Sequence, residues 1–568
     1  MILQSLCALY DREVAAGRDL PGMGYERKAI DLVLDLDAEG RVIARTPFNE
    51  RSERYQTNVP RWPVRSGKRS GDDIKSAFLA DKAEYVLGFN VEKAAAWARY
   101  HRKHLTGTDD EGLTALLRFL DAPGRGLERE GLKGNMTVAF LYDGGFLHER
   151  PAARAIWQAI MPRGGDVGRC LMSGEEAPVA DLHLRVTVGG SMAALVSYNE
   201  EALEHYGHEG GGNSPISEVA AHAYATALDH LIARGHRVTI GTTVLAYWTE
   251  IEDTSAAETA DQLLADILIG KARPDAKAET AQLRDALAAL ACGKPVSGVM
   301  PEAYYCILAI EPGIGRHAIR SFLRASMGEL ARNVSAHREA MRLEADDRPH
   351  SIRQIAEAVQ RDSDRLNKDR PKPSPSLGND LLRCVVVGAP YPAALINGIL
   401  ARLRAGDEVD GLRAAVLKAN LIRNIKEPLT VTCNPDHPSA AYQLGRLLAA
   451  VEAVQRAAMP HVNVTARERY WRMLSARPSV ALPGLMGGLT HHLGALRREG
   501  KGRLAAFLDR QVQEVADRIG EVPGTMSIAD QSLLALGYYQ ECAAKDARMV
   551  ARVSEHEAVA TDVNSDQE

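Results

Sequence analysis

Cysteine is sparse in this chain and unpaired in pattern. Seven cysteines, at 7, 170, 292, 306, 384, 433 and 542, are scattered through 568 residues, odd in number and without a CxxC spacing. That scatter fits free thiols in a reducing compartment, and neither a disulfide framework nor a structural zinc site is expected. Cys170 and His183 would share a metal only if two distant ligands joined them; the plainer reading is a buried thiol and a structural imidazole. Long hydrophobic runs are missing too. No stretch of 18 apolar residues occurs, so no transmembrane helix is expected. Asp11-Arg12-Glu13 interrupts the opening segment, which argues against an export signal and for a cytoplasmic protein.

Catalytic signatures are absent as well. Gly67-Lys68 is followed by Arg69-Ser70, and Trp62 stands where a phosphate-binding loop needs its first glycine. His148-Glu149 continues as Arg150-Pro151-Ala152, so no HExxH places two imidazoles on one helical face. Neither GxSxG nor a His-Asp doublet is present. Asp72-Asp73 and Asp346-Asp347 are neighbours whose side chains diverge on any regular element, and His491-His492 share a helix without sharing a face. The chain is expected to be neither a catalyst nor a carrier of metal or cofactor.

Its 45% hydrophobic content is ample for ordinary cores, and its length calls for at least two domains. Ile30, Leu32, Leu34 and Leu36 alternate with Asp31, Val33 and Asp35, predicting a β-hairpin over 28–45 that turns at Asp37 to Gly40. Further strands are predicted at 136–142, 238–248 and 303–310. Ser214 and Pro215 look like the cap and first turn of a helix burying Ile216, Val219, Ala220, Ala223, Ala227 and Leu231, which Gly235 ends. Three prolines in DRPKPSPS, at 371, 373 and 375, suit an extended connector.

Beyond it, helical spacing dominates, over 440–458, 485–498 and 502–519. The last of these has Leu504, Phe507, Leu508, Val515 and Ile519 on one side. Ser527 and Asp530 form a capping box opening the final helix. The fold class is therefore α+β: a mixed domain with short antiparallel strands over 1–370, a linker at 371–380, a helical bundle over 381–550, and an acidic, disordered tail at 551–568.

Charge is unevenly placed. The formal net charge is -5, yet Arg51 to Arg69 holds six Lys/Arg against one acid, Glu53, beside Tyr55 and Trp62. Two Ser-Gly pairs and two prolines make this stretch a loop, suited to phosphates and base edges or simply solvated. Twelve Lys/Arg face six acids between Ser439 and Gly520, with Arg497, Arg498, Lys501 and Arg503 clustered between two helices. They either solvate the bundle or track a single strand's backbone. The run Arg402, Arg404, Arg413, Lys418, Arg423 and Lys426 poses the same choice. Gly207 to Gly212, before Asn213, is either a flexible connection or a glycine loop that approaches a ligand closely.

Several segments, in order, carry a family likeness. They are MILQSLCALYDRE, LPGMGYERKAIDLVLDLDAEGRV, FLADKAEYVLG (78–88), CLMSGEEAPVADLH (170–183), LVSYNEEALEHYG (195–207) and NSPISEVAAHAYATALDHLI (213–232). TIGTTVLAYW (239–248), AAYQLGRLLAAVEAVQ (440–455), RERYW, LTHHLGAL and ALGYYQ (535–540) continue them. In this colinear set the chain resembles the large subunit of the type I-C CRISPR Cascade complex.

The resemblance implies a protein beside the crRNA 5′ handle that recognises a short duplex motif, the PAM. It then helps open the DNA and holds the displaced strand for a recruited helicase–nuclease. The implied partners are the crRNA-bearing Cascade backbone, the crRNA-end subunits and double-stranded target DNA, with no membrane. A small subunit made from an internal start in the same gene is a further implied partner. The likeness itself assigns no PAM-reading side chain; within that role the basic loop suggests Arg65, Lys68, Arg69 and Lys75 as phosphate anchors, with Asn58 and Ser70 at base edges and Asn213 as a second reader or wedge. Arg497, Arg498, Lys501 and Arg503, with Arg402 and Arg404, would hold the displaced strand. A protein-interaction scaffold whose basic patches meet acidic partners is the competing reading, and a concealed nuclease a third.

Overall fold

The structure, a computed structural model, describes residues 1–48, 55–61, 75–122, 127, 130–161, 166–198, 201–270, 277–344, 350–365 and 373–565. Two compact units divide the chain, one of residues 1–234 with 313–317, the other of 235–312 with 318–568. The fold is α+β. Within the second unit, the strands after Gly235 pack with the helices that follow them.

In the first unit, Leu32–Leu36 and Val42–Pro47 form an antiparallel hairpin. Its turn is closed by Asp37, whose carboxylate accepts the Arg41 N–H at 2.7 Å, and by Gly40 at φ 73°. The hairpin begins later than 28, since Tyr25–Ile30 instead pairs with Tyr55–Pro60. Leu32–Leu36 also runs parallel to Thr137–Tyr142, which makes it a central strand. Burial on both faces follows, and Val33 is as enclosed as its neighbours. Leu32, Leu34, Leu36, Trp97, Phe140 and Trp157 fill one side, while Ile30, Val33, Val59, Ala139 and Phe146 fill the other.

The helix Glu218–Ala233 starts later than expected. Ser217, not Ser214, is its cap, accepting the Ala220 N–H at 3.3 Å, while the Ile216 carbonyl is taken by the Ala180 N–H. Val219 consequently points to solvent.

In the second unit, Arg237–Ile240, Thr243–Thr249, Tyr304–Glu311 and Ala318–Ser326 form an antiparallel meander. Pro375–Leu382, where a connector was expected, is a helix capped by Ser374, with Gly378 lying against Ile240. Proline at its first turn costs no hydrogen bond, so the same residues that suggested a linker open a helix.

The helix Ala440–Ala458 is the centre of the C-terminal helices, with fifteen of nineteen residues buried. It meets Ile528–Ser565 through two glycines. An added Cβ at Gly445 would lie 2.1 Å from the Leu534 carbonyl oxygen, and one at Gly537 2.2 Å from that of Tyr442. Polar pairs line this contact. Arg446 donates to Glu541 at 2.9 Å, Tyr442 OH to Gln540 at 2.6 Å and Tyr538 OH to Glu452 at 2.6 Å.

Gly502–Ala516 is rotated from its expected orientation, with Ala505, Val512 and Val515 buried and Leu504 and Phe507 outward. The Ser527–Asp530 capping box is present, each side chain accepting the other's backbone N–H. The final helix runs on through 551–565, where a disordered tail was expected; its alanines and glutamates favour helix despite their polarity.

Candidate nucleic-acid interface

Arg65, Lys68, Arg69 and Ser70 lie outside the described residues, but the polypeptide on either side of them is firmly built. Before them, Asn58 sits opposite Arg27 in the Tyr25–Ile30/Tyr55–Pro60 ribbon. The Asn58 amide donates to Asp19 at 2.6 Å, and Arg27 donates to the same carboxylate at 3.0 Å. Thr57 is buried, donating to Glu149 at 2.9 Å beside His148, whose imidazole burial pushes down to about 4. Burial lowers the Arg61 pKa, against the pull of Glu26 and Glu218.

After them, Lys75 is half-buried and leads into a largely interior block, from which Lys82 alone is exposed and Glu84 half-buried. Phe78, Leu79, Ala80, Ala83, Tyr85, Val86 and Leu87 are all enclosed. Asp81 accepts the Ala77 and Lys82 N–H groups at 2.8 and 2.7 Å. His101 accepts the Leu79 N–H at 2.9 Å and approaches the Trp97 carbonyl at 2.8 Å, which places its proton on Nδ1. Burial holds this imidazole near 3, so it stays neutral. The segment FLADKAEYVLG thus anchors the chain after the basic stretch through its apolar side chains.

Three guanidiniums and one imidazole that sequence reading overlooked converge on one carboxylate. Glu13 lies 3.3 Å from Arg12, 3.7 Å from Arg18, 3.2 Å from Arg234 and 3.9 Å from His230. Burial, then Arg234, lowers the His230 pKa, with Arg27 and Arg18 adding to the effect and Glu13 opposing it. Nothing in the sequence signals this, because residues 12–27 and 230–234 are far apart and unexceptional singly.

The glycine stretch before Asn213 is self-bonded and is packed at Gly210 and Gly211, while the rest of it is exposed. An added Cβ at Gly211 would lie 2.1 Å from the Ala180 carbonyl oxygen. The Asn213 carbonyl accepts the His205 N–H at 2.8 Å, and its amide donates to the His208 and Gly210 carbonyls at 3.0 Å each. His208 N–H closes a turn onto the His205 carbonyl, with Tyr206 at φ 54° and Gly207 at φ 77°. Both central residues in the left-handed region make it a type I′ turn, and Tyr206 at its apex is fully exposed.

At the other candidate site, Arg497, Arg498, Lys501 and Arg503 come together where Pro478–Arg498 meets Gly502–Ala516, and all four are exposed. Arg497 pairs with Asp509 at 3.4 Å and Lys501 with Glu499 at 2.9 Å. Arg402 and Arg404 end a separate helix, Ala393–Arg404, half-buried and exposed respectively. Arg413 and Lys418 belong to the interior. Arg413 is fully enclosed, donating to the carbonyls of Ala358, Glu408 and Gln360, and Lys418 donates to that of Ala340. Arg423 likewise spends its guanidinium on the Cys384 and Ala389 carbonyls.

Among the described residues no three His, Cys, Asp or Glu side chains converge as a metal site requires, and no helix is long and apolar enough to cross a membrane. No curated protein matches the chain. A family model described as "CRISPR-associated protein (Cas_Csd1)" matches residues 6–545, nearly its whole length.

Proposed function

The chain belongs to the Cas_Csd1 family of CRISPR-associated proteins, and from that premise we propose that it is the non-catalytic large subunit of a type I-C Cascade complex. In this role it recognises the PAM in duplex DNA, promotes unwinding and R-loop formation, and holds the displaced strand for a recruited helicase–nuclease. The observation that carries the reading is the clamping of the basic stretch between a paired strand and an enclosed block. Cations tethered at both ends lose less freedom on binding than cations on a loose arm.

No fuel is needed for the opening. Exchanging DNA duplex for RNA–DNA heteroduplex is nearly balanced, with DNA stacking worth about 1.4 kcal/mol per step, so a few phosphate contacts tip the first steps. Arg65, Lys68, Arg69 and Lys75 supply those contacts, with Asn58, Ser70 and Asn213 nearest to base edges. Asn58 and Asn213 would exchange their present internal hydrogen bonds to do so. Arg497, Arg498, Lys501 and Arg503, seconded by Arg402 and Arg404, then take the displaced strand's backbone.

The crRNA-bearing backbone and crRNA-end subunits are the partners, and a small subunit from an internal start is a fourth component. Helix Ala440–Ala458 constrains that start: a product beginning at Met459 loses the helix on which the others pack. A beginning between Leu444 and Val451 forfeits the Tyr442–Gln540 hydrogen bond.

Salt-dependent binding of the assembled complex to PAM-bearing and scrambled duplexes is the test. Joint Arg65→Ala, Lys68→Ala and Arg69→Ala substitution should weaken PAM-duplex binding and flatten its salt dependence. Charge reversal at Arg497, Arg498, Lys501 and Arg503 should spare that binding and lower permanganate reactivity of the non-target strand. Equal affinity for both duplexes in the unaltered complex would leave a scaffold.

A further inference from the structure

A groove of about 330 Å³ lies between helices Pro478–Arg498 and Gly502–Ala516. Its floor is apolar, made by the buried side chains of Leu489, Leu493 and Val512. Thr490 and Gln513 stand exposed at its edges. The Thr490 hydroxyl donates to the Met486 carbonyl at 3.2 Å and can still accept, while the Gln513 carboxamide makes no hydrogen bond among the described residues. At the end nearest the interhelical turn, Arg497 and Asp509 line the groove in a loose contact of 3.4 Å. Arg497 belongs to the cationic turn as well. That turn is firmly closed: the Gly500 and Lys501 N–H groups donate to the Arg497 and Leu496 carbonyls at 3.2 and 2.9 Å, with Gly500 at φ 76°. Lys501 is paired with Glu499, whereas Arg498 and Arg503 meet no carboxylate among the described residues. An uncharged trough therefore opens from a mouth that carries unpaired positive charge.

We propose that this groove takes one unstacked base of the displaced strand, while the cations at its mouth hold the phosphates beside that base. The inference rests on the proposed function and deepens it, from a track for the backbone to a pocket for a base. A single-stranded nucleotide matches both halves of the site, its phosphate suiting the mouth and its uncharged ring the floor. The displaced strand has already lost its pairing partner, so turning a base into the groove forfeits only stacking on its neighbours. Duplex DNA would have to give up a base pair as well. The volume is at the small end of ligand pockets, which begin at about 300 Å³, and suits one ring system rather than a run of nucleotides. Gln513 offers both donors and an acceptor, and Thr490 an acceptor, so the edge of any base can be met.

The test uses the assembled complex on a PAM-bearing target whose non-target strand carries 2-aminopurine, moved one position at a time. Stacking quenches this base, so one position should be several-fold brighter than its neighbours. Thr490→Met with Gln513→Met fills the groove from two exposed positions; the variant should melt as the parent does and lose the bright position. An abasic nucleotide there should weaken binding of a target with a pre-opened non-target strand about five-fold in the parent, the low end for a held base. In the filled variant the same abasic nucleotide should change nothing.

Uniform brightness along the strand, a bright position that survives filling, or an abasic effect of equal size in parent and filled complexes would each overturn the inference. So would loss of a protein subunit from the filled complex, which would make the groove a seam between proteins. If charge reversal at Arg497, Arg498, Lys501 and Arg503 lowers permanganate reactivity while filling leaves the bright position alone, the base pocket fails and the strand-holding role stands. If neither change has an effect, both fail.

Discussion

Two glycine-to-alanine substitutions in the C-terminal helices should move stability in opposite directions. Gly445 is enclosed between Ala440–Ala458 and Ile528–Ser565, where an ordinary Cβ would approach the Leu534 carbonyl oxygen to 2.1 Å and the Tyr538 nitrogen to 2.8 Å. Carbon–oxygen contacts normally close at about 3.3 Å, so the helices must part by about 1 Å. Because the obstacle is backbone, no side-chain rotation relieves it. Overpacking of this kind costs about 3 kcal/mol at the upper end, against which alanine recovers about 1 kcal/mol of helix propensity. The net loss is about 2 kcal/mol, or roughly 3 °C in the melting of a unit this large.

Gly487, on Pro478–Arg498, has nothing within 4 Å of an added Cβ. There the propensity term acts alone, and Gly487→Ala should stabilise by about 0.8 kcal/mol. Calorimetry or urea unfolding of the two variants in parallel provides the measurement. A Gly445→Ala protein as stable as the Gly487→Ala protein would refute the close helix contact on which the argument depends.

Acid should destabilise the first unit well above the range where carboxylates titrate. His101 is held near 3 and His148 and His183 near 4 by burial, so all three are neutral when folded and charged when unfolded below about 6.5. Stability is intact above 6.5 and is lost as pH falls toward 4, at up to about 1.4 kcal/mol per pH unit for each group; equal urea midpoints at pH 7 and 5 would contradict this. Tyr206 holds φ 54° at an exposed apex, a strain of about 1 kcal/mol for a residue with a bulky side chain. Tyr206→Asn, which tolerates that conformation, should raise the unfolding midpoint; a lower midpoint would mean the ring makes a stabilising contact.

Much of the architecture was legible because it follows local rules. Alternation found the hairpin, expected over 28–45 and seen over 32–47, and Ser527 with Asp530 marked the last helix because a capping box is written within four residues. Orientation was harder. Val219 and Phe507 are apolar and in helical register with buried neighbours, yet both face outward, since which stripe is covered depends on partners elsewhere in the chain. Prolines 373 and 375 misled for a related reason: proline breaks a helix interior but fits its first turn.

The candidate sites divide in the same way. Arg497 to Arg503 were visible as a local cluster, and they do lie together. Arg413 and Lys418 looked alike in sequence but are enclosed, each satisfied by carbonyls that no local pattern reveals. The Glu13 arginines were invisible because tertiary folding alone collects them. The family likeness was readable for a different reason. AAYQLGRLL and ALGYYQ are the two halves of the interlocked helix contact, where Gly445, Gly537, Tyr442 and Gln540 leave little room for alternatives.

Pinning of the polypeptide at Tyr55–Pro60 and again from Ala77 onward has an engineering consequence. A graft of any other sequence between these two posts should keep both intact, because a cut inside Tyr55–Pro60 unpairs a strand and one inside 77–87 opens the core.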